Sequence, residues 1–115
     1  MVEVTPERFE ELVADAIDGI PDELARLMDN VAVFVQDRHP DRALLGLYEG
    51  IPLTRRDAGY AGMVMPDRIT IFRVPICAMC RTEQQVVEQV RVTVVHEVGH
   101  HFGIGDARLH ELGYG

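Results

Sequence analysis

The sequence predicts a small α+β domain, and three observations support this class. Amphipathic helical patterns occupy both ends of the chain, short runs rich in β-branched and aromatic residues lie between them, and 115 residues suffice for one hydrophobic core. Apolar residues make up 47% of the chain, which is typical of a globular protein. We therefore expect residues 1–115 to form a single domain with N-terminal helices, a small twisted sheet of three to four strands and a long C-terminal helix.

Two helices are predicted near the N-terminus. Thr5 precedes Pro6, and this pair favours a helix start because Thr can cap free N–H groups and Pro suits the first helical position. Apolar residues then recur at helical spacing to about Asp18, and Gly19 ends the helix. A shorter helix is predicted from Pro21.

Three strands are predicted in the middle of the chain. The run "VAVFVQ" at 31–36 is rich in β-branched residues, and its apolar character suggests burial on both faces. Two further strands are predicted near 44–49 and 69–74. Pro75 indicates that the third strand lies at or near a sheet edge, because proline cannot donate to a strand partner. Residues 51–68 are predicted to form a long loop.

The longest helical candidate runs from Thr82 to Gly103. Its stretch "VRVTVV" has strand propensity, but the length of the segment and its helical period favour a helix. One predicted face carries five apolar side chains: Val87, Val90, Val94, Val98 and Phe102. A last short helix is predicted over "DARLHELG".

The end of the long helix contains residues typical of a metal site. His96 and His100 are four residues apart, so their rings project from one helix face, roughly opposite the valine face. Glu97 lies beside His96, where its carboxylate could reach a metal-bound water. A zinc ion that performs chemistry takes three protein ligands, and Gly103 lets the chain turn so that Asp106 can supply the third.

The motif HExxHxxGxxD resembles that of the Asp-zincins, which are metallopeptidases of the zincin type. The chain, with its runs "LLGLYEG" and "PDRITIFR", is also similar to compact bacterial proteins called mini-zincins. This resemblance implies a zincin-like minimal fold and one Zn²⁺ per chain. It implies that His96, His100 and Asp106 are the metal ligands and that Glu97 is the catalytic general base.

The resemblance implies hydrolysis of peptide bonds in a peptide or protein substrate by metal-activated water. Tyr60, Arg73 and Tyr114 are alternative donors to the oxyanion, and "ITIFR" would be the edge strand that binds an extended substrate. Only nine residues follow Asp106, and no methionine is among them, so we expect the site floor of larger zincins to be incomplete or built differently here. We also expect no room for the lobe that forms their far wall. The alternative function is therefore a zinc-binding module without independent peptidase activity, structural or dependent on a partner.

The other polar residues near the motif have structural interpretations. His101 is expected to pack with one hydrogen bond, and His39 in "RHPDR" to be a turn residue. His110 is expected on the surface of the last helix, with a substitute ligand as the alternative. Glu111 is expected to be a surface residue, with a hydrogen bond to a liganding histidine as the alternative.

Charge and cysteine content limit the partners of the protein. The formal charge of −8 and the absence of an Arg or Lys cluster argue against nucleic acid. No run approaches the roughly 18 apolar residues of a membrane-spanning helix, and the start of the chain lacks signal-peptide features. We therefore expect a cytoplasmic protein in which Cys77 and Cys80 are buried, reduced thiols. The oligomeric state is not predicted.

Overall fold

A computed structural model describes residues 1–50 and 66–114 of the chain. The elements in order are α1 (Pro6–Asp18), α2 (Asp22–Ala25) with a 3-10 turn (Arg26–Met28), β1 (Val31–Gln36), β2 (Gly46–Glu49), β3 (Asp67–Phe72), α3 (Arg73–Met79), α4 (Glu83–His101) and α5 (Asp106–Glu111). The predicted α+β class is therefore confirmed. Most of the predicted 51–68 loop lies outside the described residues.

Helix α1 begins and ends where the sequence indicated. The hydroxyl oxygen of Thr5 accepts a hydrogen bond from the N–H of Arg8 at 3.1 Å, which satisfies one of the free donors of the first turn. The N–H of Gly19 bonds to the carbonyl of Ala16 at the other end. The buried face of α1 packs against α4 and consists of Phe9, Leu12, Val13 and Ala16.

The three described strands form a mixed sheet in the order β1-β3-β2. Strand β3 is parallel to β1, with Val33 opposite Ile69, and antiparallel to β2, with Tyr48 opposite Ile69. Strand β3 is therefore central among the described strands, so Pro75 does not mark a sheet edge and the predicted role of "ITIFR" as the edge strand is wrong. Its last four residues are all buried, as expected of a strand covered on both faces.

Pro75 belongs to helix α3, which the sequence did not predict. Helix α3 starts at Arg73, immediately after β3, so Pro75 occupies the third helical position. The N–H groups of the first helical turn have no partner within the helix, so proline costs little there. Pro75 therefore marks a helix start and gives no information about a sheet edge.

Strand β1 lies at one edge of the described sheet, and none of its residues is fully buried, which contradicts the suggested burial on both faces. The side chain of Phe34 is 48% exposed, and the Arg68 guanidinium lies 6.0 Å from the centre of its ring. The amino-acid composition of one strand does not distinguish an apolar edge strand from a central strand. The order of strands in a sheet depends on segments that are distant in the sequence.

The core lies between α1, α4 and one face of the sheet. Helix α4 contributes Val90, Val94 and Val98, all of which are at most 1% exposed, as predicted. Phe102 departs from the prediction and is 42% exposed, because α4 ends at His101 just before it. None of the helices within 1–50 and 66–114 has the length and apolar content that crossing a bilayer requires.

Cys77 and Cys80 are buried and not joined to each other, as predicted. Burial raises the pKa of both thiols, which reduces the fraction of reactive thiolate near neutral pH. We expect both cysteines of the native protein to react slowly with a thiol reagent at pH 7 and at the rate of a free thiol in denaturant. Rapid labelling of the native protein would contradict this expectation.

Two phenylalanines provide a matched test of the core. Phe9 is fully buried, whereas Phe34 is about half exposed. Phe9→Ala should lower the free energy of unfolding by about 3–5 kcal/mol, because it leaves a cavity in the core. Phe34→Ala should lower it by less than about 1 kcal/mol. Urea denaturation of both variants measures the difference, and equal losses would show that the core is placed incorrectly.

Candidate metal centre

Helix α4 carries the HExxH residues. Thr82 caps its start by accepting a hydrogen bond from the N–H of Gln85 at 3.1 Å, and Glu83 lies in the first turn, where the helix dipole favours a carboxylate. The strand-like stretch "VRVTVV" is helical because the helical period brings its valines onto the core. Tertiary packing therefore overrides the local β propensity in this segment.

His96 and His100 are neighbours on the face of α4 that looks away from the core valines. Their ring centres lie 6.0 Å apart, with the ring planes nearly perpendicular at 89°. His96 is half-buried and His100 is exposed. The arrangement follows from helix geometry, since residues four apart lie one above the other.

A cavity of about 240 Å³ lies against this face of α4. His96, Glu97 and His100 line it together with Leu45 and Gly46 at the start of β2. Strand β2 is the outermost described strand on this side of the sheet. The predicted histidine pair and the predicted general base therefore meet in one cavity beside an outer strand.

Gly46 allows β2 to approach α4 closely. A Cβ atom at this position would lie 2.7 Å from the Cγ2 atom of Thr93, a separation that side chains do not tolerate. The sequence did not identify Gly46 as a site residue. A glycine within a strand indicates that some other group approaches the backbone closely, but it does not say which group. The residue that it approaches becomes known only from the fold.

The carboxyl group of Glu97 is half-buried beside the two histidines. Burial raises its pKa above the ordinary value, and the opposing effects of His100 and His96 are smaller. A carboxylate with a raised pKa is a stronger proton acceptor than an exposed one. The electrostatics of the cavity therefore suit Glu97 to proton transfer.

The C-terminal segment returns to the same face of α4. The Nε2 atom of His96 lies 2.8 Å from the backbone carbonyl oxygen of Tyr114, so this ring nitrogen acts as the donor. Leu109 packs against Gly99, where an added Cβ would lie 3.2 Å from Leu109 Cδ2. Burial raises the pKa of the Tyr114 phenol, so this group stays protonated at neutral pH.

Asp106 is the first residue of α5 and is exposed. Within residues 1–50 and 66–114, no three His, Cys, Asp or Glu side chains form a group that could hold a metal ion. The structure therefore brings His96, Glu97 and His100 together but does not bring Asp106 to them. Imidazole nitrogens and carboxylate oxygens are ligands that zinc accepts, so the donor chemistry of His96, His100 and Asp106 fits this ion.

The three candidate oxyanion donors have different positions. Arg73 pairs with Asp37 at 2.9 Å and donates to the carbonyl of Val4 at 2.8 Å, and it does not line the His96 cavity. The suggestion that Arg73 serves the site is therefore wrong. Tyr60 lies outside the described residues. Tyr114 contacts His96 through its backbone carbonyl.

The remaining histidines have structural contacts. His101 stacks on Tyr48 with ring centres 4.0 Å apart, which confirms its packing role. The Nδ1 atom of His39 accepts hydrogen bonds from the N–H groups of Asp41 and Arg42, each at 3.1 Å, so His39 is a turn residue. His110 is exposed on α5.

Glu111, the other carboxylate considered near the motif, is also exposed. It pairs with Arg108 at 2.8 Å on the same helix. The expectation of a surface position is therefore confirmed.

Comparison with known proteins identifies the family. A family model described as zincin-like metallopeptidase matches residues 28–115, which is more than half of the chain. No curated protein matches the chain. The matched region contains the three described strands and the helix with the HExxH residues. The chain therefore belongs to the zincin-like metallopeptidase family.

Proposed function

We propose that the protein is a zinc-dependent metallopeptidase of the Asp-zincin type, with one Zn²⁺ per chain, that hydrolyses cytoplasmic peptides or proteins. His96, His100 and Asp106 are the proposed ligands, and Glu97 is the proposed general base. The observation that carries this proposal is the cavity in which His96, Glu97 and His100 meet beside β2. The family match supports a metallopeptidase in general terms.

Each residue of the cavity has a role in this chemistry. Zinc, when bound, supplies a Lewis acid that polarises a carbonyl group and acidifies water. The Glu97 carboxylate accepts a proton from the attacking water and then passes it to the nitrogen of the leaving amine. Partial burial favours the first step, because it raises the pKa of Glu97 and so strengthens proton binding to its carboxylate.

Strand β2 is the proposed guide for the substrate, in place of β3. It is the outermost described strand next to the cavity, and its first residue, Gly46, touches α4. An extended peptide that adds to an outer strand forms main-chain hydrogen bonds irrespective of its sequence. This position would hold a peptide bond alongside the His96 cavity.

The second candidate function is zinc binding without peptidase turnover. The placement of Asp106 favours it, since this residue is exposed and forms no metal-binding group with the histidine pair among the described residues. The contact of His96 Nε2 with the Tyr114 carbonyl also occupies a nitrogen that could bind metal. In this case the site would serve folding or assembly, and metal removal would destabilise the domain.

Metal content tests the proposed ligands. Wild-type protein purified without a metal-affinity tag should contain near one zinc per chain by elemental analysis, and His96→Ala and Asp106→Ala should lose most of it. His39→Ala is the control, because His39 accepts hydrogen bonds within a turn outside the His96 cavity and should leave the zinc content unchanged. Equal zinc content in His96→Ala and wild type would contradict the assignment.

The same variants separate the two candidate functions. Removal of a catalytic zinc ligand should leave the far-ultraviolet circular dichroism spectrum and the cooperative unfolding transition nearly unchanged, because the valine core lies on the other face of α4. An unfolded His100→Ala or Asp106→Ala protein would instead indicate a structural metal.

Glu97→Gln tests the catalytic step. Glutamine keeps the size of the side chain but cannot accept the proton, so kcat for peptide hydrolysis should fall by about 10²–10⁴-fold while zinc content and fold persist. Glu10→Gln, on the exposed face of α1, is the control for an acidic residue far from the cavity. Retained hydrolysis in Glu97→Gln would exclude Glu97 as the general base.

A further inference from the structure

A groove along α4 continues from the His96 cavity towards the start of the helix. The cavity shares two wall residues, Gln89 and Val92, with a larger groove of about 750 Å³. This groove extends from the shared residues to Arg81, which lies immediately before the helix cap Thr82. We call the continuous surface from His100 to Arg81 the α4 groove.

The far end of the α4 groove carries a positive charge. Among the described residues, no carboxylate forms an ion pair with the exposed guanidinium of Arg81. Glu88, which also lines the groove, is paired with Arg91 at 2.7 Å, so its charge is offset locally. A protein of net charge −8 therefore presents an unpaired cation at this point of the groove.

The direction of β2 relates the two ends of the groove to the two ends of a peptide. A Cβ at Gly46 would meet Thr93, and one at Gly50 would meet His101 at 3.0 Å, so β2 and α4 run in the same direction. A peptide that pairs with β2 in the more stable antiparallel mode runs in the opposite direction. Its C-terminal half then points towards Gln89 and Arg81.

Helix geometry gives the length of peptide that reaches Arg81. The fifteen-residue separation of Arg81 and His96 corresponds to roughly 22 Å along the helix axis. An extended peptide covers about 3.3 Å per residue. With the reach of the arginine side chain, a group about five to seven residues beyond the cleaved bond lies beside Arg81.

We infer that the α4 groove binds the C-terminal half of the peptide substrate and that Arg81 pairs with a substrate carboxylate there. The inference rests on the proposed peptidase function. It adds a preference for an acidic group about five to seven residues beyond the cleaved bond. The carboxylate is either the C-terminus of the peptide or an Asp or Glu side chain. Such an exposed ion pair contributes modestly to binding, so the preference is graded.

Binding to the Glu97→Gln protein tests this inference without turnover. The probe is a fluorescently labelled peptide pool with a randomised centre and a fixed C-terminal half, prepared in three forms. The first has a free C-terminal carboxylate at the predicted distance, the second is its amide, and the third is an amide with Asp at that position. Fluorescence anisotropy gives Kd for each form.

We expect the two acidic forms to bind about two- to fivefold more tightly than the neutral amide. A preference for the first form alone would identify the C-terminus as the ligand, and a preference for both would include acidic side chains. Arg81→Gln, combined with Glu97→Gln, should remove the difference in Kd between the acidic and neutral forms. Arg81→Glu should reverse the charge preference, so that a pool ending in Lys binds more tightly than the acidic forms. Arg26→Gln, which changes an exposed arginine outside the groove, should have no effect.

Three results would overturn the inference. The first is tighter binding of the acidic forms that persists in Arg81→Gln. The second is tighter binding of acidic forms only when the acid lies on the N-terminal side of the randomised centre. The third is no measurable binding of any form. Cleavage of the same peptides by the wild type is recorded in parallel. Cleavage without acid preference would overturn the inference alone, whereas Arg81-dependent binding without cleavage would overturn only the peptidase proposal.

Discussion

The burial of the valine face of α4 is the constraint on which the rest of the structure depends. Val90, Val94 and Val98 are almost completely buried and fix the rotation of the helix about its axis. His96 follows Val94 by two residues, which is roughly 200° of helical rotation, so its ring must point away from the core. The same argument places His100 relative to Val98. The packing that stabilises the domain therefore also orients the histidine pair, and it leaves their face available for chemistry.

Strand β2 is held beside α4 at both of its ends, and these contacts determine the width of the cavity. Gly46 approaches Thr93 at the start of the strand. Near the other end, the Tyr48 hydroxyl donates to the Asp67 carboxylate at 2.8 Å, and the Tyr48 ring stacks on His101. The close approach of Gly46 and the hydrogen-bonded aromatic stack both oppose displacement of β2, which lies along the HExxH face of α4.

Local rules predicted the helices well, because helix starts and periods are properties of short segments. Thr5 and Thr82 cap α1 and α4 as expected, and i, i+4 spacing placed His96 and His100 on one face. The position of β3 in the centre of the sheet could not be predicted, since Pro75 is compatible with both a strand edge and a helix start. Helix α3 was missed because "RVPICAM" has no amphipathic period over its seven residues. The role of Gly46 depends on Thr93, which is forty-seven residues away in the sequence.

The position of Asp106 depends on interactions different from those that position the histidines. Leu109 anchors α5 by burial against Gly99, and Arg108 pairs with Glu23 of α2. Between α4 and α5, Gly103 has a φ of +74°, and a Cβ there would meet no atom within 4 Å. Glycine is therefore required at this position by backbone conformation and not by lack of space. The core orients two of the proposed ligands, whereas a short glycine-containing turn determines where the third lies. Changes in that turn should thus alter metal affinity with little effect on the stability of the core.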